Sequence, residues 1–221
     1  ELKFLKGSNK ITLGPGIVTL DKTLFIDEDE TLFIYPGTNL LLNDNVSIFT
    51  RGKVIAEGFK DNPITIKPVN KNWGVFAIVG KHAQASVLKN IKISGGSIDK
   101  IENINFSGML SVHHVPGVEL FDLELMNNHK GDDTMRAISS DVKANKIVLS
   151  NCFGDCIDFD YSSGEVSNII MKNAGNDGLD FMTSDFIVDE FYIDKCGDKG
   201  ISIGENSNIK ASNVKINYCE I

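Results

Sequence analysis

The sequence predicts an all-β chain: a right-handed parallel β-helix of about ten coils, each about 22 residues long. Two observations predict it. The first is a repeat at a fixed step. Asn151, Asn173, Lys195 and Asn217 follow one another at 22-residue intervals, as do Cys152, Ala174, Cys196 and Tyr218. The apolar pairs Ile157/Phe159, Leu179/Phe181 and Ile201/Ile203 keep the same step. The second is alternation inside each copy. Triplets such as Ile157-Asp158-Phe159 are apolar, polar, apolar, and Gly, Asn, Ser and Asp separate them. That is strand patterning broken by turns, not helical spacing. A single coil cannot bury its apolar face, but coils stacked at about 4.8 Å can. Handedness follows the rule for crossovers between parallel strands.

Earlier coils show the same grammar with looser spacing. Short apolar runs occur at Ile17-Val18, Leu24–Ile26, Leu32–Ile34, Leu40–Leu42, Val54-Ile55 and Ile64–Ile66. Between them lie turn signals such as Gly14-Pro15-Gly16, Pro36-Gly37 and Asn62-Pro63. Further strands are expected at 75–78, 86–88, 91–93, 104–106, 110–112 and 118–120, and the loop at Gly95-Gly96-Ser97 is expected to leave the body. No linker or low-complexity tract interrupts residues 1–221, which read as a single domain. Residues 1–10 are the candidate N-terminal cap, because an open end exposes unpaired strand edges. No C-terminal cap is evident, and a longer polypeptide is expected.

Composition narrows function by exclusion. With 42% apolar and 24% charged residues the chain can build a sizeable core. A net charge of −8 disfavours nucleic acid and anionic membranes. No apolar run approaches the roughly 18 residues of a membrane-spanning helix. The four cysteines fit neither a zinc ribbon nor a redox CxxC. Cys152 and Cys196 share a column two coils apart, about 9–10 Å, too far for a disulfide. The expectation is four buried thiols acting as small apolar groups.

Two segments resemble known proteins. Pro36-Gly37-Thr38, Gly52-Lys53-Val54-Ile55-Ala56-Glu57-Gly58, Asn62-Pro63-Ile64-Thr65-Ile66 and Trp73-Gly74 are similar to the opening coils of bacterial exported β-helix proteins of the pectate-lyase-like superfold. With the later coils, the resemblance spans nearly the whole chain and implies the fold, not an activity. Gly131-Asp132-Asp133, Asn176-Asp177-Gly178 and Gly197–Gly204 resemble coils of polygalacturonase-type glycoside hydrolases. The likeness implies Asp132, Asp133 and Asp177 as catalytic acid and base. It departs from that family where Asp198-Lys199 replace its histidine and where the two aspartate coils come in reversed order.

Aligned coils place charges in columns: Asp133, Asp155, Asp177, Lys199, and beside them Arg136, Asp158, Asp180, Ser202. Side chains flanked by inward apolar residues point outward. Carboxylates on adjacent rungs lie about 5 Å apart, so joint ionisation is disfavoured. Three outcomes stand open. The carboxylates form an acid–base couple, Asp158 and Asp180 hold Ca²⁺, or the columns are a solvated ladder ended by Arg136 and Lys199. A lyase would need a base such as Tyr161, Arg136 or Lys199 near the acidic columns. The remaining candidates are weaker. Adjacent His113 and His114 point to opposite faces; His129 can reach the Gly131 turn and is the better of the histidines; Trp73 is a sugar-stacking platform or, more often for a lone Trp beside Gly, packs into the body; Asn151, Asn173 and Asn217 form an asparagine ladder.

Two function classes follow. One is a non-catalytic extracellular or cell-surface module that binds a polysaccharide or surface protein through Arg136, Asp155, Asp158, Asp180 and Lys199, or serves as a rigid spacer. The other is a polysaccharide-active hydrolase or lyase using the acidic ladder of residues 132–180.

Overall fold

The computed structural model describes residues 9–219 in full and the backbone of residues 2–4. Much of the expected N-terminal cap therefore lies outside the described residues; within it, Leu2–Phe4 pairs antiparallel with Lys10–Leu13. From there on, parallel strands stack into a solenoid of about nine coils. One inner column runs through eight rungs: Leu24, Ile48, Phe76, Leu110, Met135, Ile157, Leu179 and Ile201 are cross-strand partners in turn. These residues form the spine of an eight-stranded sheet. The first seven belong to one apolar cluster that extends from Ile11 to Cys196, and Ile201, half-buried, packs against it. Phe159 packs against Phe181 and Phe186 within it, with ring centroids 5.4 and 4.3 Å apart.

A coil is easiest to see at residues 155–178. The strand Asp155–Asp160 lies in the eight-stranded sheet and ends at Tyr161, where φ is 51°. Ser163–Lys172 then crosses the second, larger sheet, bent at Asn168 with φ 53°, and Asn173 with φ 57° starts the turn back. One left-handed residue marks each of the first two bends and opens the third, longer turn. That conformation costs an L-residue roughly 1–2 kcal/mol, least for Asn and Asp, which explains the many asparagines. One such residue suffices to bend a strand without breaking it. The segments expected separately at 86–88 and 91–93 are therefore one strand, Ser86–Ser94, bent at Asn90. In the earlier coils two strands, such as Lys53–Glu57 and Ile64–Pro68, do the same work.

Polar columns lock the rungs together. In the expected asparagine ladder, Asn173 Nδ2 donates to Asn151 Oδ1 at 3.0 Å and Asn151 Nδ2 to Asn127 Oδ1 at 2.9 Å. Asn217 is not part of it; Lys195 interrupts the column and Asn217 Nδ2 donates to the Tyr192 hydroxyl. A second ladder is buried. Ser162 Oγ accepts the N–H of Ser140 at 3.1 Å, and Ser184 Oγ that of Ser162 at 3.1 Å. The Ser162 hydroxyl also donates to the Asp160 carbonyl.

Two features depart from expectation. The cysteines are not thiols: Cys152 bonds to Cys156 across a tight turn, and Cys196 to Cys219 on the next rung, with Cα–Cα distances of 5.3 and 4.9 Å. The rung spacing that separates Cys152 from Cys196 brings Cys196 within reach of the residue one coil on. The loop after Gly95 does leave the body, but as an antiparallel hairpin, Asp99–Ile101 with Ile104–Phe106, that folds back over the eight-stranded sheet. Glu102 and Asn103 both take positive φ, as a two-residue type I′ turn requires. The hairpin buries Ile101 and Phe106 with Phe49, Val75, Ala77 and Val79 in a second apolar cluster, so this part of the sheet is covered on both faces.

Ser162→Ala leaves the buried Ser140 N–H without its acceptor. The expected loss is about 1–3 kcal/mol of folding stability, read as a lower urea midpoint.

Candidate functional site

Beyond the hairpin, the outer face of the eight-stranded sheet carries the charged columns. Ser111, Arg136, Asp158, Asp180 and Ser202 are cross-strand partners in one column, and His113, Ile138, Asp160 and Met182 in the next. Alternation sets this: Ile157 and Phe159 face the core, so Asp158 and Asp160 face away from it.

Arg136 is the centre. Its Nε lies 3.3 Å from Asp158 Oδ2, its Nη1 3.6 Å from Asp133 Oδ2, and its Nη2 meets Asp160 Oδ2. Nη1 also donates to Ser107 Oγ at 2.8 Å, and that hydroxyl donates to Asp133 Oδ2 at 2.6 Å. One cation thus faces three carboxyls, and all three are buried. Asp133 Oδ1 and Asp158 Oδ1 are buried without a hydrogen-bond partner.

Burial pushes the Asp158 carboxyl up to about 8; the negative charge of Asp133 adds to this, and Arg136 opposes it. Burial likewise lifts Asp133 to about 7 against the Ser107 hydrogen bond and Arg136. Burial also disfavours the Arg136 charge, but Asp160, Asp158 and Asp133 outweigh it and hold the guanidinium above its ordinary value. His113 is pulled down to about 4, first by burial and then by Arg136 and His114. It is a neutral ring under the hairpin, 4.9 Å from Phe106, while His114 turns into solvent at a left-handed corner.

The other aspartates divide by role. Asp155 Oδ1 accepts the backbone N–H of Asp177 at 2.7 Å and the Asn176 amide at 2.8 Å. Burial nevertheless lifts it to about 6. One rung on, Asp177 Oδ1 accepts the N–H of Lys199 at 2.7 Å. Both carboxylates tie a turn to the next turn. Close stacking there requires glycine: a Cβ on Gly154 would sit 2.1 Å from the Asp132 carbonyl oxygen. Asp132 itself is exposed, as is His129. Lys199 Nζ reaches its neighbour Asp198 at 2.5 Å. Asp180 lies next to Asp158 in register, but among the described residues no group of three acidic, histidine or cysteine side chains is gathered as a cation cage. Trp73 is fully buried and donates its indole N–H to the Ser94 carbonyl at 2.8 Å, so it packs in the body.

The structure adds residues that sequence reasoning did not single out. Asp160 and Ser107 complete the Arg136 cluster. Phe153, in the turn before the strand Asp155–Asp160, is 62% exposed, and it joins Tyr161, already named as a candidate lyase base, which is 58% exposed just after that strand. Phe153 stands where the aligned coils have Gly175 and Gly197. An aromatic ring in a glycine column was the available signal.

No family profile and no curated protein matches the chain. Among solved structures, the crystal structure of alginate lyase from Paenibacillus sp. str. FPU-7 aligns over 82% of this chain and 93% of that one, at 10% identity and a TM-score of 0.25. A likeness at that level carries no argument about site or activity, so the reading rests on the geometry.

Asp133 and Asp158 keep protons in the folded chain at pH values where an unfolded aspartate, near 3.8, has released them. The folded state therefore binds more protons from pH about 4 to about 8, and unfolding free energy falls as pH rises through that window. Asp158→Asn, neutral at every pH, is expected to flatten that slope in urea titrations across the same range.

Proposed function

We propose that the protein is a non-catalytic carbohydrate-binding rod that acts outside the cell or at its surface. The observation that carries this reading is the composition of one rung. Exposed aromatic rings, Phe153 and Tyr161, stand at the two ends of a strand whose outer face presents Asp158 and Asp160, with Arg136 on the rung before. Sugar rings stack their C–H faces on aromatics, while their hydroxyls donate to carboxylates and accept from a guanidinium. The outward carboxyl column continues to Asp180 on the next rung. An excess of carboxylates favours neutral or amine-bearing sugars and repels uronates. Two disulfides suit an oxidising compartment.

The aspartates weighed as acid and base support binding over turnover. Asp177 uses its carboxylate to hold a turn, and Asp133 lies 1% exposed beneath Arg136. Asp132 alone stands open to solvent, and one carboxylate does not make a glycosidase pair.

A second reading has one specific observation behind it. Asp158, lifted to about 8 and one rung from Asp180, has the protonation a general acid needs at neutral pH. In that reading the rod cleaves what it holds.

One experiment separates the two: titration of neutral, amino-sugar and uronate oligosaccharides, with product analysis. Binding of a neutral or amino-sugar chain without new products is expected. Phe153→Ala with Tyr161→Ala should weaken it about tenfold or more, on the order of 1.4 kcal/mol. Products that vanish in Asp158→Asn would establish the enzyme instead.

A further inference from the structure

The larger sheet bends at a column of left-handed residues, Asn90, Asp122, Lys146, Asn168, Glu190 and Asn213. The bend makes a concave trough on the outside of the rod. Two cavities of about 830 and 310 Å³ lie in it and share Asn168 and Ile170, so they are parts of one channel. It runs from Pro63 to Lys215, across seven rungs, or about 29 Å at 4.8 Å per rung. None of its lining belongs to the Arg136 site on the eight-stranded sheet.

Two facts about the trough select its occupant. Four lysines and three acids line it, and Lys92 pairs with Glu124 at 2.8 Å and Lys146 with Asp122 at 3.7 Å, so neither sign prevails. A ligand charged along its length would meet its own sign as well as the opposite one. Next to them lies an apolar strip, Val148 and Ile170, 38% and 40% exposed, with the Asn168 side chain at the corner beside it and Tyr192 beyond, its ring 5.5 Å from the Lys215 ammonium. The walls are sheet faces, and their strands are hydrogen-bonded to neighbouring rungs on both sides. An extended peptide draws its affinity from main-chain bonds to an open strand edge, which these walls do not offer. An uncharged chain with an apolar ring face and a hydroxyl edge needs only what is present.

We propose that the trough at the bend of the larger sheet is a binding site for an extended, neutral, β-linked oligosaccharide. The apolar strip Val148–Ile170 carries its ring faces, Tyr192 under Lys215 bounds the strip, and Asn168 hydrogen-bonds its hydroxyls. This site is separate from the Phe153–Tyr161 rung and stands whether or not that rung binds sugar.

The test is calorimetric and NMR titration of the whole chain with a β-1,4-linked glucose hexamer. A uronate hexamer and an uncharged extended heptapeptide serve as competing probes. The neutral hexamer is expected to bind and to shift the Asn168 side-chain amide. Ile170→Glu is expected to weaken binding about tenfold or more. Val148→Glu and Tyr192→Ala read the same strip should that variant fold poorly. Phe153→Ala with Tyr161→Ala should leave these shifts in place, which separates this site from the other. Three results would overturn the proposal: no binding of the neutral hexamer, binding indifferent to all three trough variants, or preference for the peptide or uronate.

Discussion

A parallel rung adds to a stack only where its inward side chains land on those beneath, because a shift of one residue turns the apolar set to solvent. The column from Leu24 to Ile201 meets that condition over eight rungs even though the chain between successive members varies in length. The strands cannot vary; the turns can. The longest excursion, between Phe76 and Leu110, holds the hairpin, and the register resumes unchanged after it. Everything else in the molecule is arranged around this fixed spacing of strands and freedom of turns.

Translation by one rung also repeats every polar group, so a side chain that satisfies its neighbour one coil on can do so indefinitely. The serines at 140, 162 and 184 use this in the interior, and the asparagines at 127, 151 and 173 at the surface. Asp155 and Asp177 do it in the turns. The ladders solve a problem particular to solenoids. A corner exposes backbone donors that no strand pairing reaches, and a buried unpaired donor is costly. Residues that sequence reading weighs as catalytic or ligand-binding, Asp177 and Asp155, are thus hydrogen-bonding partners of the turns themselves.

This explains what was legible in the sequence. Inward columns could be read because burial imposes an apolar residue at a constant step; Ile157, Leu179 and Ile201 show it directly. The outward alignment of Arg136, Asp158 and Asp180 follows by alternation alone. What hid was anything set by a turn. The partner of Cys196 is one rung away only because its own turn brings Cys219 to the same place. The hairpin over the sheet depended on Ile101 and Phe106 finding Phe49, a contact with no period behind it. Asp160 was overlooked for a different reason: it occupies a second outward column, and its importance comes from the reach of Arg136 across columns.

Repetition has a cost when the repeated group is charged. Carboxylates stacked at rung spacing repel, and the repulsion grows with every coil that keeps them. The chain relieves it in two ways. The columns end in cations, Arg136 among its three carboxyls at one end and Lys199, its ammonium paired with Asp198, at the other. The carboxyls nearest the core hold protons that an exposed aspartate would release, as Asp133 and Asp158 do. A guanidinium with three carboxyls is therefore less a bound pair than a shared reserve of charge and protons. Such a reserve has capacity left over: the buried Oδ1 atoms of Asp133 and Asp158 remain acceptors without donors. Both atoms are closed off from solvent, and a neutral carboxyl is cheaper to bury than a carboxylate. Proton retention is thus what lets the stack keep three carboxyls around one guanidinium.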